Sequence, residues 1–432
     1  MRRCALALLW LALTLSASPA TAQVQQVQLG VWQPVGFKGI RVDALAAAEE
    51  GRVLYVATEL GLQASVDGGE NWNFVGGDLE SLGAPPVLSL AVDPRDSGLV
   101  YAGTEPGPKG GLYVSRDGGL HWQWLFRGQN QEGVRTLLVA GQPGSIYLST
   151  WPLGGAVDEL LGTADGGQSW RVLLPAASAQ AGRRLFAVSL GEGDRLFVAG
   201  SDGVQVSVAG GEHWRRALGR PTYSLAVATV DGEGGVTDGR HDILYAANEV
   251  DVATSVDGGA SWRQLVSPVE CGCGAMGPNS LALSVGRVPV VLAGANATCD
   301  YAGYVRVLGT NKYTGDEAWG DGSAGLPALR EYRFVVAGEA RPRAYALTPE
   351  GVWSLDLPVS ASAATPVSGL GAMPVGASAP QPAPDSPLPS GALDGALKEL
   401  AGRSSLDYTL VGAVLAVGCL ITLRRVRGRP GH

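Results

Sequence analysis

One eight-residue phrase occurs five times in this chain, and it constrains the fold more than any other feature of the sequence. The phrase reads SVDGGENW at 65–72, SRDGGLHW at 115–122, TADGGQSW at 163–170 and SVDGGASW at 255–262, with a degenerate copy, SVAGGEHW, at 207–214. Its third position recurs at spacings of 50, 48, 44 and 48 residues. Periods of about 40–50 residues are typical of one four-stranded blade of a β-propeller.

Each repeat unit also contains four short runs that are rich in β-branched and aromatic residues. In the second unit these runs are VLSLAVDP (87–94), GLVYAGTE (98–105), GGLYVSRDGG (110–119) and HWQWLFRG (121–128), separated by Gly, Pro and Asp. Such runs, bounded by turn-forming residues, indicate strands. No segment between them is long enough for a helical period. We therefore predict an all-β fold of four-stranded antiparallel blades.

The number of blades follows from units that lack the phrase. The stretch 280–319 supplies a sixth unit, and 332–358 supplies only three strands of a seventh. The missing strand is predicted at the other end of the chain, where VWQPVGF (31–37) places Trp32 as the other units place Trp72. Pairing this N-terminal strand with the last blade removes the exposed edges of the ring. We predict a seven-bladed propeller over 28–358, with six blades as the alternative.

The repeated phrase is interpreted as a turn and not as an active site, because a hairpin requires it in every blade. An aspartate side chain closes such a turn by accepting hydrogen bonds from the following backbone, and glycine provides the positive φ. Ala209 indicates that one blade tolerates the loss of the carboxylate. The predicted structural residues are Ser65, Asp67, Gly69, Trp72, Ser115, Asp117, Gly119, Trp122, Thr163, Asp165, Gly167, Trp170, Trp214, Ser255, Asp257, Gly259 and Trp262.

The pattern S/T-x-D-x-G-x-x-W resembles the Asp-box, or BNR, repeat of sialidases, sortilin-type receptors, xyloglucanases and photosystem II assembly factors. The resemblance covers about 330 of the 432 residues. It implies the propeller fold. It says little about activity, since the repeat occurs in enzymes and in proteins without enzymatic activity.

The N-terminus has the pattern of a secretory signal peptide. Arg2 and Arg3 precede the apolar run CALALLWLALTL (4–15), and Ala20-Thr21-Ala22 forms an A-x-A cleavage site. We predict a signal peptide over 1–22; the alternative is an uncleaved N-terminal anchor.

The C-terminus has the pattern of a membrane anchor. Residues 408–423 carry no charge and RRVRGR follows them, so we predict a transmembrane helix over 406–423 and a basic cytoplasmic tail over 424–432. A buried or interfacial helix is the alternative. The proline-rich stretch 359–405 is predicted to be a stalk with a short juxtamembrane segment. The expected location is the cell envelope, with the propeller anchored to the plasma membrane on its periplasmic or extracellular side.

Charge and cysteine content exclude several kinds of site. The stretch 23–405 contains 26 basic and 39 acidic residues, a net charge of −13, which argues against a nucleic-acid partner.

Three cysteines remain in the exported part, so a disulfide from Cys299 to either Cys271 or Cys273 would leave one thiol free. We predict no metal site and no cofactor, because the histidines do not cluster with these cysteines.

The candidate binding surface is the face of the ring opposite the repeated turns, where loops held by the scaffold carry function. Arginines are expected there near the starts of innermost strands, and carboxylates at the turns between second and third strands. A long loop of the third unit adds an aromatic side chain. The candidates are Arg41, Arg135, Arg184, Arg333, Glu59, Glu105, Asp202, Glu249, Glu350 and Trp151.

Two classes of function fit this surface. The principal hypothesis is a non-enzymatic binding or assembly module for a protein partner, with the arginines holding an anionic group. The alternative is a glycan-binding module or a glycoside hydrolase, of the sialidase or xyloglucanase kind. The segment GIRVDAL (39–45) lacks the aromatic residue and the proline of the F/Y-R-I-P motif of sialidases. The resemblance to xyloglucanases implies a cleft between two propellers. A cleft with paired carboxylates is here a separate hypothesis, for which Glu59, Glu105 and Asp158 are the candidates.

Overall fold

The computed structural model describes residues 29–128, 131–153, 157–175, 183–208, 210–231, 240–248, 251–265, 278–284, 290–295, 304–310, 317–327, 333–338 and 340–358. The chain divides into two compact units, Met1–Pro366 and Val367–His432, and all described residues belong to the first. The predicted signal peptide, stalk, transmembrane helix and tail lie outside the described residues, as do Glu249 and the predicted disulfide cysteines. Within the described ranges, no helix is both long and apolar enough to span a bilayer.

The described residues form seven four-stranded antiparallel sheets, which we number as blades I to VII in chain order. The chain enters through β1 (Gln33–Gly36). Blade I contains β2 (Val42–Ala48), β3 (Val53–Thr58), β4 (Gly61–Ser65) and β5 (Asn73–Phe74). Blade II contains β6 (Val87–Asp93), β7 (Asp96–Thr104), β8 (Leu112–Ser115) and β9 (Gln123–Phe126). Blade III contains β10 (Gly133–Val139), β11 (Ile146–Trp151), β12 (Leu160–Thr163) and β13 (Arg171–Leu174).

The remaining blades follow the same order of strands. Blade IV contains β14 (Leu185–Leu190), β15 (Leu196–Gly200), β16 (Gly203–Val208) and β17 (Glu212–Leu218). Blade V contains β18 (Ser224–Asp231), β19 (Arg240–Ala247), β20 (Val252–Ser255) and β21 (Arg263–Gln264). Blade VI contains β22 (Pro278–Ser284), β23 (Val290–Ala295), β24 (Tyr304–Thr310) and β25 (Glu317–Asp321). Blade VII contains β26 (Arg333–Ala337), β27 (Arg343–Thr348) and β28 (Gly351–Asp356), together with β1.

The ring closes as the sequence predicted. Strand β1 pairs antiparallel with β28, with Gln33 opposite Ser354 and Gly36 opposite Val352. The fourth strand of blade VII therefore comes from the N-terminal end of the propeller. The prediction of seven blades is confirmed, and the alternative of six blades is wrong.

A short helix, α1 (Gly77–Leu82), connects blades I and II and was not predicted. It ends at Gly83, whose left-handed conformation (φ 71°) allows its N–H to donate to the carbonyl of Glu80. One and a half turns of helix contain too few residues to show a helical period in the sequence.

The hydrophobic core consists of the contacts between adjacent blades. Because each blade is packed between two others, its inner strands are buried on both faces; β3 (VLYVAT) is buried at all six positions. Such strands appear in the sequence as continuous apolar runs, without alternation of apolar and polar residues. Between blades I and II the core includes Tyr55, Val75, Val100 and Trp122.

The repeated phrase forms the hairpin between the third and fourth strands of its blade, and we call it the DGG turn. In blade I the Ser65 hydroxyl donates to Asp67 Oδ1 (2.7 Å) and accepts from the N–H of Gly69 (2.8 Å). The N–H of Asn71 donates to the same Asp67 oxygen (2.9 Å). The same three bonds recur in the copies that contain Asp117, Asp165 and Asp257. Gly68 (φ 76°) and Gly69 (φ 96°) both have the left-handed backbone for which glycine is suited.

The degenerate copy in blade IV has a different hydrogen-bond pattern. The Ser207 hydroxyl donates to the carbonyls of Val208 (3.0 Å) and Glu212 (2.5 Å). Strand β17 begins at Glu212, two residues before Trp214, whereas in the other copies the strand begins directly after the tryptophan. The turn is thus closed by the hydroxyl and the backbone where the carboxylate is missing.

The DGG turns lie on the same face of the ring as the turns between the first and second strands, as predicted. The N–H of Gly68 donates to the carbonyl of Arg52 (2.8 Å), and the N–H of Gly118 donates to the carbonyl of Gly98 (2.9 Å). Equivalent bonds occur in blades III, IV and V. We call this face the DGG face and the opposite one the arginine face.

The tryptophan of the DGG turn also joins neighbouring blades. The Trp122 indole N–H donates to the carbonyl of Val75 in blade I (3.0 Å), and that of Trp214 donates to Leu173 in blade III (2.9 Å). The tryptophan therefore contacts the preceding blade as well as its own turn, and this contact was not predicted.

The DGG turns are expected to make the stability of the protein sensitive to acid. Hydrogen bonds from the backbone N–H and side chain of Asn71 lower the pKa of Asp67 to about 2, and those from His121 lower the pKa of Asp117 to about 2. An unfolded aspartate has a pKa of about 3.9, so between these values the unfolded chain binds more protons than the folded one. The stabilisation is complete above about pH 4 and is lost as the pH falls towards about 2.

Urea unfolding at several pH values between about 7 and about 2.5 measures this loss. In the double variant Asp67→Asn, Asp117→Asn we expect a weaker dependence on pH in this range, because the amides do not titrate. The same acid dependence in the variant and in the wild type would contradict the assignment to the DGG turns.

Candidate functional site

The described members of the predicted binding surface lie at the ends of strands on the arginine face. Arg41 and Arg184 directly precede innermost strands, Arg333 begins one, and Arg135 is the third residue of β10. The predicted carboxylates Glu59, Glu105, Asp202 and Glu350 lie in the turns between second and third strands, and Trp151 ends β11. A side-chain oxygen of Glu59 accepts from the N–H of Arg41 at 3.4 Å, and Asp202 accepts from the Gln205 amide at 2.8 Å.

The four arginines form two pairs, each around one aspartate. Arg41 lies 3.3 Å from the carboxylate of Asp43, and the Arg333 guanidinium donates to the backbone carbonyl of Asp43 at 3.1 Å. This first pair is exposed to solvent: 44% of the Arg41 side chain is accessible.

The second pair surrounds a fully buried carboxylate in blade III. Arg135 Nε lies 3.3 Å from Asp158, and Arg184 Nη1 lies 3.4 Å from it. The N–H of Leu185 also donates to the carboxylate at 2.9 Å. Burial raises the pKa of Asp158, and the charge of Arg135 opposes this rise. Burial likewise lowers the pKa of Arg135 to about 10. Asp158 therefore connects the loop between β11 and β12 to the innermost strands of blades III and IV.

Arg183 is a buried neighbour of this cluster that the sequence analysis did not select. It is only 2% exposed, and its Nη2 donates to the carbonyls of Asp158 (2.9 Å), Leu174 (3.2 Å) and Pro175 (3.1 Å). The side chain thus crosses from blade IV to the loop and the outer strand of blade III. The signal in the sequence was the arginine pair at 183–184, of which only the second member was selected.

Trp151 is held beside this cluster. The guanidinium carbon of Arg135 lies 4.2 Å from the centre of the Trp151 ring, within the range of a cation–π contact. The tryptophan is partly exposed. Its backbone pairs with Gly133, at the start of β10. Because Asp158 fixes Arg135, and Arg135 lies against the ring, the position of the indole is determined by buried interactions.

Two glutamates lie close to Trp151 along the backbone. Glu132 directly precedes Gly133, and the backbone of Glu159 is hydrogen-bonded to Thr150. Burial and the charge of Glu159 raise the pKa of Glu132. Sequence reasoning did not select either residue, because neither belongs to a motif. We use the name Trp151 site for the group that consists of Glu132, Arg135, Trp151, Asp158, Glu159 and Arg184.

The DGG face, where the sequence predicted no binding site, also contains cavities. One cavity of 530 Å³ lies between blades I and VII and is lined by Glu50, Arg52 and Arg341. Two more, of 440 and 340 Å³, lie between blades II and III. In the part of the chain that the structure describes, no group of three or more His, Cys, Asp or Glu side chains is arranged to hold a metal ion.

Comparison with known proteins supports the fold. No protein-family model and no curated protein sequence matches the chain. Among solved structures, an ancestral GH74 enzyme superimposes with a TM-score of 0.56 at 18% identity, covering 76% of this chain and 46% of that one. The GH74 xyloglucanase from Xanthomonas campestris superimposes with a TM-score of 0.53 at 17% identity, covering 78% and 55%. The chain spans about half the length of either structure, and at these identities the likeness shows a shared propeller fold.

Proposed function

We propose that this propeller is a carbohydrate-binding module whose binding surface is the Trp151 site. The observation that carries the proposal is the partly exposed indole fixed by Arg135 and Asp158. An aromatic ring that is rigidly held offers an apolar face to the C–H groups of a sugar. The charged groups around it, Glu132, Glu159 and Arg184, provide acceptors and donors for hydroxyls.

The structural neighbours support a carbohydrate as the ligand class. Both are GH74 enzymes, and one is a xyloglucanase. This favours the glycan alternative over the hypothesis of a protein partner, which stays a prediction. Oligosaccharides derived from xyloglucan are therefore the first probes, followed by those of other β-linked polysaccharides.

Hydrolysis is a second candidate function, favoured by one observation. Burial and the neighbouring Glu159 raise the pKa of Glu132, and a carboxyl group with a raised pKa is suited to act as a general acid. The resemblance to xyloglucanases, however, implies a cleft between two propellers, and the described residues form one. The fixed position of Trp151 is an observation about binding and not about proton transfer, so we propose binding without turnover as the principal activity.

We also propose that the DGG turns are Asp-boxes of the BNR kind. The recurrence of the same three hydrogen bonds in four blades supports this assignment. Export by the signal peptide and anchoring by residues 406–423 are part of the proposal. They would display the carbohydrate-binding surface outside the cytoplasm.

Replacement of Trp151 by alanine is expected to weaken the binding of a xyloglucan oligosaccharide by about tenfold or more, which corresponds to the loss of about 1.4 kcal/mol of stacking. Isothermal titration calorimetry measures the change, and parallel assays of reducing ends measure hydrolysis. Phe74→Ala is the matched control, because Phe74 is an aromatic residue 47% exposed on the outer strand of blade I. It is expected to leave the affinity unchanged.

Three outcomes decide between the functions. Binding that Trp151→Ala weakens, without release of reducing ends, supports the binding module. Release of reducing ends that is abolished in Glu132→Gln supports the hydrolase. If neither xyloglucan nor the other β-linked oligosaccharides bind, or if Trp151→Ala binds them as well as the wild type, the proposal of a Trp151 site is wrong.

A further inference from the structure

The two cavities between blades II and III form one groove on the DGG face. They share the lining residues Arg116, Pro143, Gly144 and Gly166. Their volumes of 440 and 340 Å³ lie within the range of about 300–1,000 Å³ that is usual for small-ligand sites. We call this feature the Arg116 groove. It lies on the face of the ring opposite the Trp151 site.

The groove is located where a tyrosine contact that is present at two other blade junctions is missing. In blade I the hydroxyl of Tyr55 donates to the carbonyl of Ser97 in blade II (2.9 Å), and in blade VII that of Tyr345 donates to Gly51 in blade I (3.2 Å). Tyr101 has the corresponding position in blade II, and it lines the groove. Its hydroxyl makes no hydrogen bond within the described ranges. The Tyr101 hydroxyl can therefore both donate and accept hydrogen bonds at the edge of the cavity.

At the same junction, Arg116 differs in residue type from the equivalent position of the other DGG turns. It follows the serine of the DGG turn in blade II, where the other copies have Val66, Ala164, Val208 and Val256. Its side chain is exposed and makes no ion pair with any described residue. An arginine at this one position is not needed to build the turn, since four blades build it with an apolar residue.

The charges that line the groove are nearly balanced. The carboxylate of Asp93 is held by Arg95 at 2.5 and 2.9 Å. The oxygens of Asp165 accept hydrogen bonds from Thr163 and Ser169 within their own turn. Asp96 Oδ1 likewise accepts a hydrogen bond from the N–H of Gly98 (2.9 Å). The three aspartates and two arginines of the lining leave a net charge of −1. A groove with this balance has no strong preference for an anion or for a cation.

Apolar side chains also form part of the walls of the groove. Leu99, Leu125 and Pro143 line the groove beside the polar groups. We infer that the Arg116 groove binds a neutral sugar residue, with hydroxyls hydrogen-bonded to Arg116, Asp96 and the Tyr101 phenol and a C–H face against the leucines. The inference rests on the proposed carbohydrate-binding function and adds a second, independent subsite to it.

The test uses variants that the repeat itself shows to be compatible with folding. Arg116→Val installs the residue found in blades I, IV and V, and Tyr101→Phe removes only the hydroxyl. We expect each to weaken the binding of methyl β-glucoside or methyl α-xyloside, by about tenfold for Arg116→Val, because hydrogen bonds to charged groups contribute most. Ligand-detected NMR titration of the full protein measures the dissociation constants. Tyr55→Phe is the control, since the Tyr55 hydroxyl is already bonded to Ser97.

The test is carried out in the wild type and in Trp151→Ala, so that the two sites are separated. Glycoside binding that persists in Trp151→Ala and is lost with Arg116→Val supports the groove, whatever the result at the Trp151 site. Binding that Trp151→Ala abolishes and Arg116→Val leaves unchanged overturns the groove alone. Absence of glycoside binding in the wild type overturns it as well. If glucuronate binds to the wild type more than tenfold more tightly than the glucoside, the groove recognises anions and the inference is wrong.

Discussion

Replacing Trp32 by alanine is expected to lower the free energy of unfolding by about 3–5 kcal/mol, the usual range for deletion of a large buried aromatic side chain. Trp32 is 2% exposed and directly precedes β1. Its indole N–H donates to the carbonyl of Gly322 after blade VI (2.8 Å), and its ring lies 6.0 Å from that of Phe334 in blade VII. The side chain thus joins blade VI to blade VII, the blade in which β1 closes the ring, and its loss leaves a cavity beside that strand.

Urea unfolding followed by circular dichroism measures the difference in stability, provided that the transition is two-state. Trp32→Phe is the informative companion variant, because it keeps most of the apolar contact with Phe334 and loses only the hydrogen bond to Gly322. We expect Trp32→Phe to lower the free energy of unfolding by less than half as much as Trp32→Ala does. If the free energy of unfolding of Trp32→Ala is within about 1 kcal/mol of that of the wild type, the N-terminal strand does not stabilise the closed ring.

Replacing Asp158 by asparagine is expected to be about as destabilising, by about 3–5 kcal/mol, because it leaves buried guanidinium groups without their counter-charge. The Asp158 carboxylate is fully buried, and only 10% of the Arg135 side chain is exposed. The variant also removes the group that fixes Arg135 against Trp151. We therefore expect it to weaken oligosaccharide binding at the Trp151 site in addition to its effect on folding.

Asp43→Asn is the matched control for this second prediction. Asp43 also pairs with an arginine of the arginine face, but Arg41 is 44% exposed and solvent screens the pair. Removal of the Asp43 charge is expected to change the free energy of unfolding by less than about 1 kcal/mol. Equal effects of Asp158→Asn and Asp43→Asn would show that burial does not distinguish the two arginine pairs. An unchanged affinity in a folded Asp158→Asn protein would show that Asp158 does not position Trp151.

The two arginine pairs also show the limit of what position in the repeat determines. Arg135 and Arg184 were selected correctly as residues near the starts of innermost strands. Their common partner, Asp158, lies 23 and 26 residues away in a long loop, and no periodicity relates that loop to the strands. Position in the repeat determines which end of a strand a residue occupies, whereas a salt bridge depends on where a loop folds back. The charged network was therefore not predictable from the positions of its members.

The DGG face shows the same limit in another form. The substitution of valine by arginine at position 116 is visible in the sequence, but its meaning depends on the cavity beside it. That cavity lies beside Tyr101, whose hydroxyl makes no hydrogen bond to blade III within the described ranges. Both are properties of how two blades are packed against each other, and a single repeat unit contains no information about the space between it and the next.

The sequence by itself determined the blades, their number, the turn between the third and fourth strands, and the closure of the ring by the N-terminal strand. These features depend on interactions within a few residues, such as the bonds of Asp67 to Ser65 and Asn71, or on an identical unit repeated around a ring. Only the tertiary structure decided which arginines share Asp158, how Trp151 is held, and where a groove opens beside Tyr101. Those features depend on distances between side chains far apart in the chain, and such distances exist only after the blades have packed.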